Sequence, residues 1–287
     1  MRHIDHPGPV GATRRSVVAA GVRHRALELA PGVPLLAALV DALKPTGAES
    51  AVLQLQGGTF EPFAHVLPAL SKTAEHAVYF SDRHDTTGAV ALREATVTYG
   101  RRDGAPWLHC HGSWDDTEGR HHCGHLLPGE AVLSAPIAAD AWLIDGAAFQ
   151  VRRDDETRFS LFMPEASAPV ADPPSGSRPA LLVRLAPNED VCRAIEAVCA
   201  EHGISSAQVR GGVGSTVGAV FDDGRHVEPF VTELLVRRGR VRPGDTGQPE
   251  AEIDVCLVDH LGGIAEGRLA RGANPVLVTF ELVIEPD

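Results

Sequence analysis

A repeat with a spacing of 156 residues constrains the fold of this chain more than any other feature. Residues 27–60 and 183–216 share one order of features: a strand, Leu-Ala-Pro, an amphipathic helix, a glycine, a second strand and another glycine. Apolar residues recur at helical spacing in both copies. They are Leu35, Leu36, Leu39, Val40 and Leu43 in the first copy, and Val191, Cys192, Ile195, Val198 and Cys199 in the second. Two such matches at one offset indicate a duplicated domain.

The rest of each copy consists mainly of short apolar segments that predict strands. One early helix over a largely antiparallel sheet is an α+β arrangement, so the chain is expected to hold two tandem α+β domains. Between them, a segment with five prolines and no periodicity predicts an extended linker. The predicted division is an N-terminal arm over 1–26, a first domain over 27–163, the linker over 164–179 and a second domain over 180–287.

Composition limits the classes of function. The net charge is −12, which opposes binding to a nucleic-acid backbone unless a local basic patch overrides it. There is no run of eighteen apolar residues, so no membrane span is expected, and no apolar segment follows the N-terminal charges, so no secretory signal is visible. Five cysteines without a CxxC pair argue against a disulfide framework and favour a cytoplasmic location.

Histidine is concentrated in one short stretch, since five of the fourteen histidines lie within residues 109–125. If residues 107–113 form a strand, His109 and His111 face one side and Cys110 faces the other. His125, on the next segment, could supply a third nitrogen. Three neutral imidazoles with one open position form the ligand set of a catalytic zinc site. The sequence therefore predicts one divalent metal ion per chain, most readily zinc, bound by His109, His111 and His125.

These motifs resemble a known family. A helix, a glycine-rich strand, His-x-His on a strand and then Gly-His-Leu-x-x-Gly at residues 124–129 are similar to the plant-and-prokaryote-conserved (PPC) domain. The resemblance covers roughly residues 27–163 and 178–287. It implies an α+β sandwich-like fold in a bacterial tandem protein and assembly as a homo-oligomer, with a trimer favoured. It also implies that the three histidines are metal ligands near a subunit interface. In plants the domain accompanies AT-hook DNA-binding motifs, and its biochemical activity is mostly unassigned.

The second copy departs from this pattern. Aligning residues 267–272 with the Gly-His-Leu motif puts Arg268 in the position of His125, and Asp254-Val255-Cys256 then replaces the His-x-His segment. An arginine cannot ligate a metal and would repel one. The sequence therefore predicts a single metal site per chain. The second domain is expected to have a structural role, or to donate Arg268 to an anion.

The favoured functional interpretation is a metal-dependent enzyme. An open coordination position would polarise a carbonyl or activate water, which predicts a hydrolase or lyase for a small anionic metabolite, most simply a carboxylate. Glu118 is the candidate general base, and Arg268 is a candidate anchor for the carboxylate. Lys72 is a candidate Schiff-base nucleophile or second anchor. His121 and His122 are expected in a loop, where one could shuttle protons.

The alternative is a DNA-associated or regulatory binding protein with a structural metal at an oligomer interface. The arginine run at residues 237–243 is similar to an AT-hook, but Val241 interrupts the Gly-Arg-Pro core. A cupin would also carry His-x-His on a strand, but that interpretation leaves the repeat and its helices unexplained. Glycines 57–58 and 211–214 complete no phosphate-binding loop, so a bulge or a close backbone approach is expected there.

Overall fold

The computed structural model describes residues 2–167 and 174–287, and strands dominate both halves of the chain. The two α-helices of the described residues are α1 (Leu35–Leu43) and α2 (Val191–Glu201). The strands are β1 (Arg15–Leu29), β2 (Ala51–Gln56), β3 (Thr59–Phe60), β4 (Phe63–Val66), β5 (Pro68–Leu70), β6 (Val78–Phe80), β7 (His84–Thr86), β8 (Val90–Arg102), β9 (Ala105–Asp115), β10 (His121–Leu126), β11 (Leu133–Ala135), β12 (Ile137–Asp145), β13 (Ala147–Arg153), β14 (Ser160–Ala166), β15 (Arg178–Leu185), β16 (Ala207–Val220), β17 (His226–Pro243), β18 (Pro249–Asp259), β19 (Ile264–Arg268) and β20 (Val276–Pro286).

The two halves have the same topology. In the first half, neighbouring strands pair in the order β1-β12-β2-β8-β9-β10. In the second half the order is β15-β20-β16-β17-β18-β19, so each strand corresponds to one in the first half. All of these pairs are antiparallel. The predicted α+β fold with two tandem copies is confirmed.

Each helix covers the outer face of its own sheet. In α1, Leu35, Leu39 and Leu43 are almost fully buried and belong to one apolar core with the first sheet. In α2, Ile195 and Val198 pack in a separate core with the second sheet. The apolar stripes predicted for the two helices are therefore the faces that pack against the sheets.

The opposite faces of the two sheets pack against each other, which gives four layers: helix, sheet, sheet, helix. The Thr96 hydroxyl on β8 donates a hydrogen bond of 3.1 Å to the carbonyl oxygen of Val236 on β17. At Gly211, where φ is +69°, an added Cβ would lie only 2.7 Å from Cβ of Val52 on β2. The ladder between β16 and β20 shifts register after Arg210. The bulge and close backbone approach expected at these glycines are both present.

The structure differs from the predicted division at the N-terminus. Residues 15–26, assigned to the arm, form most of β1, which runs across the predicted boundary. β1 pairs with β12 of the first half and with β15 of the second, so the backbone hydrogen bonds of one strand join both sheets. Most of its side chains are only half-buried, and its apolar alternation is correspondingly weak.

The predicted linker also has ends that belong to strands. Residues 164–166 lie in β14 and residues 178–179 lie in β15. Residues 168–173 of this segment lie outside the described residues. The domain boundaries themselves stay a prediction, because β1 makes the two sheets continuous. Neither α-helix of the described residues is long and apolar enough to span a membrane.

Candidate metal centre

The three predicted ligands lie on two adjacent strands. His109 and His111 are on β9, and His125 on β10 is the direct cross-strand partner of His111. Cys110 points into the core beneath α1, so the two flanking histidines face the second half of the chain, as strand alternation requires. The imidazole of His111 is almost fully buried, and that of His109 is 18% exposed.

The ring nitrogens converge at distances that fit one shared cation. Nε2 of His109 lies 3.1 Å from Nε2 of His111, which lies 3.3 Å from Nδ1 of His125. Zinc–nitrogen bonds of about 2.0–2.1 Å in a tetrahedral arrangement separate neighbouring ligand nitrogens by about 3.3–3.4 Å. The donor set and its spacing therefore fit a single tetrahedral metal ion with one open position.

The outward nitrogens of two rings are held by acceptors from the second half. Nδ1 of His111 donates to the carbonyl oxygen of Leu234 at 2.8 Å, and Nδ1 of His109 donates to Oε2 of Glu281 at 3.0 Å. Because a carbonyl and an ionised carboxylate can only accept, these bonds assign the protons to Nδ1. Nε2 is therefore the nitrogen of each ring that is left to bind a cation between them.

Burial and charge separate the pKa values of these groups. Burial lowers the pKa of His109, but the adjacent Glu281 carboxylate outweighs it and the net shift is upward. Burial lowers the pKa of His125 to about 3, and burial followed by the nearby His109 charge also lowers the pKa of His111. At neutral pH the rings of His111 and His125 are thus unprotonated, which is the form that binds metal.

The three rings form part of the wall of a cavity of about 380 Å³ between the two halves. Phe80 contacts the ring of His125 edge-on, with centroids 5.1 Å apart, and apolar side chains dominate the adjoining wall. Glu233 is 8% exposed, its Oε2 has no hydrogen-bond partner among the described residues, and burial raises its pKa to about 8. This oxygen lies 3.8 Å from Nε2 of His111. Other lining residues include Val78, Tyr79, Arg102, Phe159, Leu161, Thr232, Leu277, Val278 and Glu281.

The three predicted catalytic residues lie elsewhere. Lys72 is 77% exposed and pairs with Asp82 at 3.1 Å, because its segment is a surface turn. Glu118 is 67% exposed and pairs with Arg120 at 2.9 Å. Neither these two nor Arg268 lines the cavity. The geometry favours Glu233, a buried glutamate of the second half, over Glu118 as the candidate proton carrier.

In the second copy an ion-pair network occupies the place of the histidines. Arg268 pairs across the strands with Asp254, as His125 pairs with His111. Its Nε lies 2.9 Å from Oδ1 of Asp254, and its Nη1 lies 3.2 Å from Oε2 of Glu252. The predicted alignment of this strand is therefore wrong by two residues. Because both carboxylates engage the guanidinium, Arg268 is held in place by neighbouring acids and is not aimed at a ligand in the first half.

Sequence reasoning missed the two glutamates that complete the histidine site. Glu233 and Glu281 come from β17 and β20, more than 100 residues along the chain from the histidines. A signal was present in both cases, because each is a carboxylate inside a run of mainly apolar strand residues. A buried carboxylate needs a partner, so its position in such a strand marks a functional or structural contact.

Glu281→Gln is expected to weaken zinc binding at the histidines by about 10–100-fold, because the carboxylate fixes the tautomer of His109 and raises its basicity. Competitive chelation would measure the change. Glu285→Gln is the matched control, since Glu285 lies on the same strand but faces Arg178 and Arg210. Equal affinities for both variants would contradict the assigned role of Glu281.

Comparison with known families gives one match. Residues 174–286 match the model of the Plants and Prokaryotes Conserved (PCC) domain, the family that the sequence motifs resemble. This span contains α2 and all of β15 to β20. None of the curated proteins matches the sequence.

Each similar solved structure matches only about half of this chain, but the match spans nearly all of that structure. A PPC protein from Pyrococcus horikoshii is 18% identical with a TM-score of 0.41, and the match covers 53% of this chain and 97% of that one. A metal-containing protein from Archaeoglobus fulgidus is 16% identical with a TM-score of 0.39, covering 49% and 93%. A candidate DNA-binding protein from Ralstonia eutropha JMP134 is 18% identical with a TM-score of 0.37, covering 50% and 90%.

Proposed function

We propose that this is a tandem PCC binding protein, because residues 174–286 match the PCC-domain model and the first half repeats the topology of the second. It holds one divalent cation, zinc first, at His109, His111 and His125. The observation that carries the proposal is the convergence of three ring nitrogens, since Nε2 of His111 lies 3.1 Å from Nε2 of His109 and 3.3 Å from Nδ1 of His125.

The position of this site supports a structural or regulatory role for the metal. The ligands come from the first half, whereas Leu234 and Glu281, which orient two of the rings, come from the second. Metal binding is thus coupled to the packing of the two halves, and it stabilises their association by mass action. The interface implied by the family resemblance is here an interface within one chain. Homo-oligomerisation and a cytoplasmic location remain part of the proposal.

A hydrolase or lyase is the second candidate, favoured by the cavity beside the open coordination position. A cation held by three nitrogens would polarise a carbonyl or lower the pKa of bound water. Glu233, with its pKa raised to about 8, would hold a proton at Oε2 and exchange it with the ligand. The apolar wall suits a ligand with an apolar body, and Arg102 is the basic group available to a carboxylate.

DNA association is a further form of the binding role, as two structural neighbours are described as candidate DNA-binding proteins. In the arginine run, Arg237 pairs with Glu94 and Glu266, and Arg240 pairs with Glu252. Arg238 and Arg242 are exposed and have no acidic partner among the described residues. Two free arginines predict only a shallow slope of about −2 for log affinity against log salt. The arginine run would therefore make few contacts to phosphate.

The test begins with untagged protein that has been chelated and then titrated with Zn²⁺. Bound zinc is expected to raise the thermal unfolding midpoint, and the absence of bound metal after reconstitution would contradict the proposal. DNA fragments over a salt series, and small esters, amides and carboxylates, are then offered to both forms. Turnover that needs the metal would favour the enzyme, and salt-dependent DNA binding would favour the DNA-associated role.

A further inference from the structure

We propose that a second cation site, of the zinc class, lies between the two halves at His121, Cys256 and Glu266. His121 begins β10 of the first half, whereas Cys256 and Glu266 are on β18 and β19 of the second. None of these residues belongs to the three-histidine centre or lines its cavity. The site goes beyond the proposed function and uses ligands from three strands.

The positions of the ligand atoms follow from strand pairing. Cys256 and Glu266 are direct cross-strand partners, so their side chains leave the same face at the same height. One ligand atom from each of the three residues lies within 4.8 Å of the others. Nε2 of His121 is 3.8 Å from Oε1 of Glu266, which is too long for a hydrogen bond. Two ligands of a tetrahedral zinc ion, bound at about 2.0–2.3 Å, are separated by about 3.3–3.8 Å.

The imidazole of His121 supplies a second, independent observation. Both ring nitrogens are buried, and neither has a hydrogen-bond partner among the described residues. Nδ1 lies 3.5 Å from Asp115, whose carboxylate is bound by Arg93 at 2.8 Å. Buried polar atoms are almost always paired, so a ring with two unpaired nitrogens indicates a missing partner. A metal at Nε2, with Asp115 approaching Nδ1, satisfies both atoms in the usual carboxylate–histidine–metal arrangement.

Cys123 lies beside the Cys256 ligand. It lies two residues after His121 on β10, so both side chains leave the same face of the strand. Its thiol is buried in one small cluster with Cys256. One sulfur, one imidazole nitrogen and one carboxylate oxygen make a three-ligand set with an open position, which suits zinc and excludes magnesium or calcium.

The surrounding charges permit a cation at this position. The side chains that face it are the carboxylates of Glu94, Asp115 and Glu266 and the guanidiniums of Arg93 and Arg237. Arg237 binds Oε2 of Glu266, which leaves Oε1 directed at His121. Three acids against two arginines leave a negative balance before the Cys256 thiol is deprotonated.

Occupancy of this site would hold β10 against the second half. His125, a ligand of the first centre, lies on the same strand four residues further along. The second cation would thus keep the strand that carries this ligand in its place. The two metals are expected to bind with positive cooperativity, because each orders part of the other site.

Loading with Co²⁺ tests the proposal, since a thiolate ligand adds a charge-transfer band in the near ultraviolet. Wild-type protein is expected to bind two equivalents and to show this band. His121→Ala is expected to bind one equivalent and lose the band, and Glu266→Gln, at a half-exposed position, is expected to weaken binding at the same site. His122→Ala is the matched control, because His122 faces Asp116 on the other side of β10.

The outcomes separate this proposal from the first metal site. A His109→Ala/His111→Ala variant should keep one equivalent together with the thiolate band. A wild-type spectrum without the band, or two equivalents in His121→Ala, would overturn the second site, whereas a single equivalent with the band in wild type would overturn the first site alone. Cys256→Ser, compared with Cys199→Ser on the buried face of α2, then checks that the band arises from this thiol.

Discussion

Replacing both His109 and His111 by alanine is expected to reduce the affinity of the first site for zinc by more than 100-fold. Loss of an outer hydrogen-bond partner alone typically costs 10–100-fold, and this change removes two of the three ligand nitrogens themselves. His125 would remain as a single ligand. Zinc titration of chelated protein, with a competing chelator, measures the loss. Most of the zinc-dependent rise in the unfolding midpoint should disappear with it, apart from the share due to other bound zinc.

His24→Ala is the control for this experiment. His24 is half exposed and pairs with Asp140 on the outer part of the first sheet, away from the cavity. The His24→Ala variant should bind zinc with the affinity of the wild-type protein. Unchanged zinc affinity in the double variant would show that the three-histidine cluster is an ordinary hydrogen-bonded group of side chains.

Gly211→Ala is expected to destabilise the protein by roughly 2–5 kcal/mol. A left-handed backbone conformation costs a non-glycine residue about 1–2 kcal/mol, and overpacking a core adds about 1–3 kcal/mol. Both costs apply, because φ at this residue is +69° and the new Cβ would lie 2.7 Å from Val52 of the other half. Denaturant unfolding at equilibrium would measure the free energy of unfolding.

Gly203→Ala separates the two contributions. Its φ is +68°, nearly the same as at Gly211, but nothing lies within 4 Å of an added Cβ. Only the backbone cost of about 1–2 kcal/mol is expected there. The difference between the variants measures how tightly the two sheets pack. Equal losses would mean that the sheets separate easily at this point.

The sequence predicted that three histidines converge because their geometry is local. His109 and His111 are two residues apart on one strand, and His125 follows on the next strand of a hairpin. The repeat likewise predicted both helices, because an apolar stripe of helical period can be read from adjacent residues. Strand alternation placed Cys110 in the core for the same reason.

The errors arose where distant segments meet. Glu118 was chosen because it lies between the histidines in sequence, and Lys72 was chosen because lysine is rare in this chain. Both lie at the surface and are paired with neighbouring charges. Arg268 was aligned with a histidine, but only the strand register revealed that Asp254 and Glu252 hold its guanidinium. The half-buried strand β1 carries little apolar alternation, and its two strand partners could not be read from the chain.

By itself the sequence determined the duplicated α+β unit, the outer helices and the three histidines on adjacent strands, since all of these depend on short-range periodicity. Only the tertiary structure decided what faces those histidines. Packing one sheet on the other brought Glu233 and Glu281 to the first site, and brought Cys256 and Glu266 beside His121. The physical reason is that face-to-face packing depends on the shape and burial of whole sheets. No short segment of the sequence carries a signal for it.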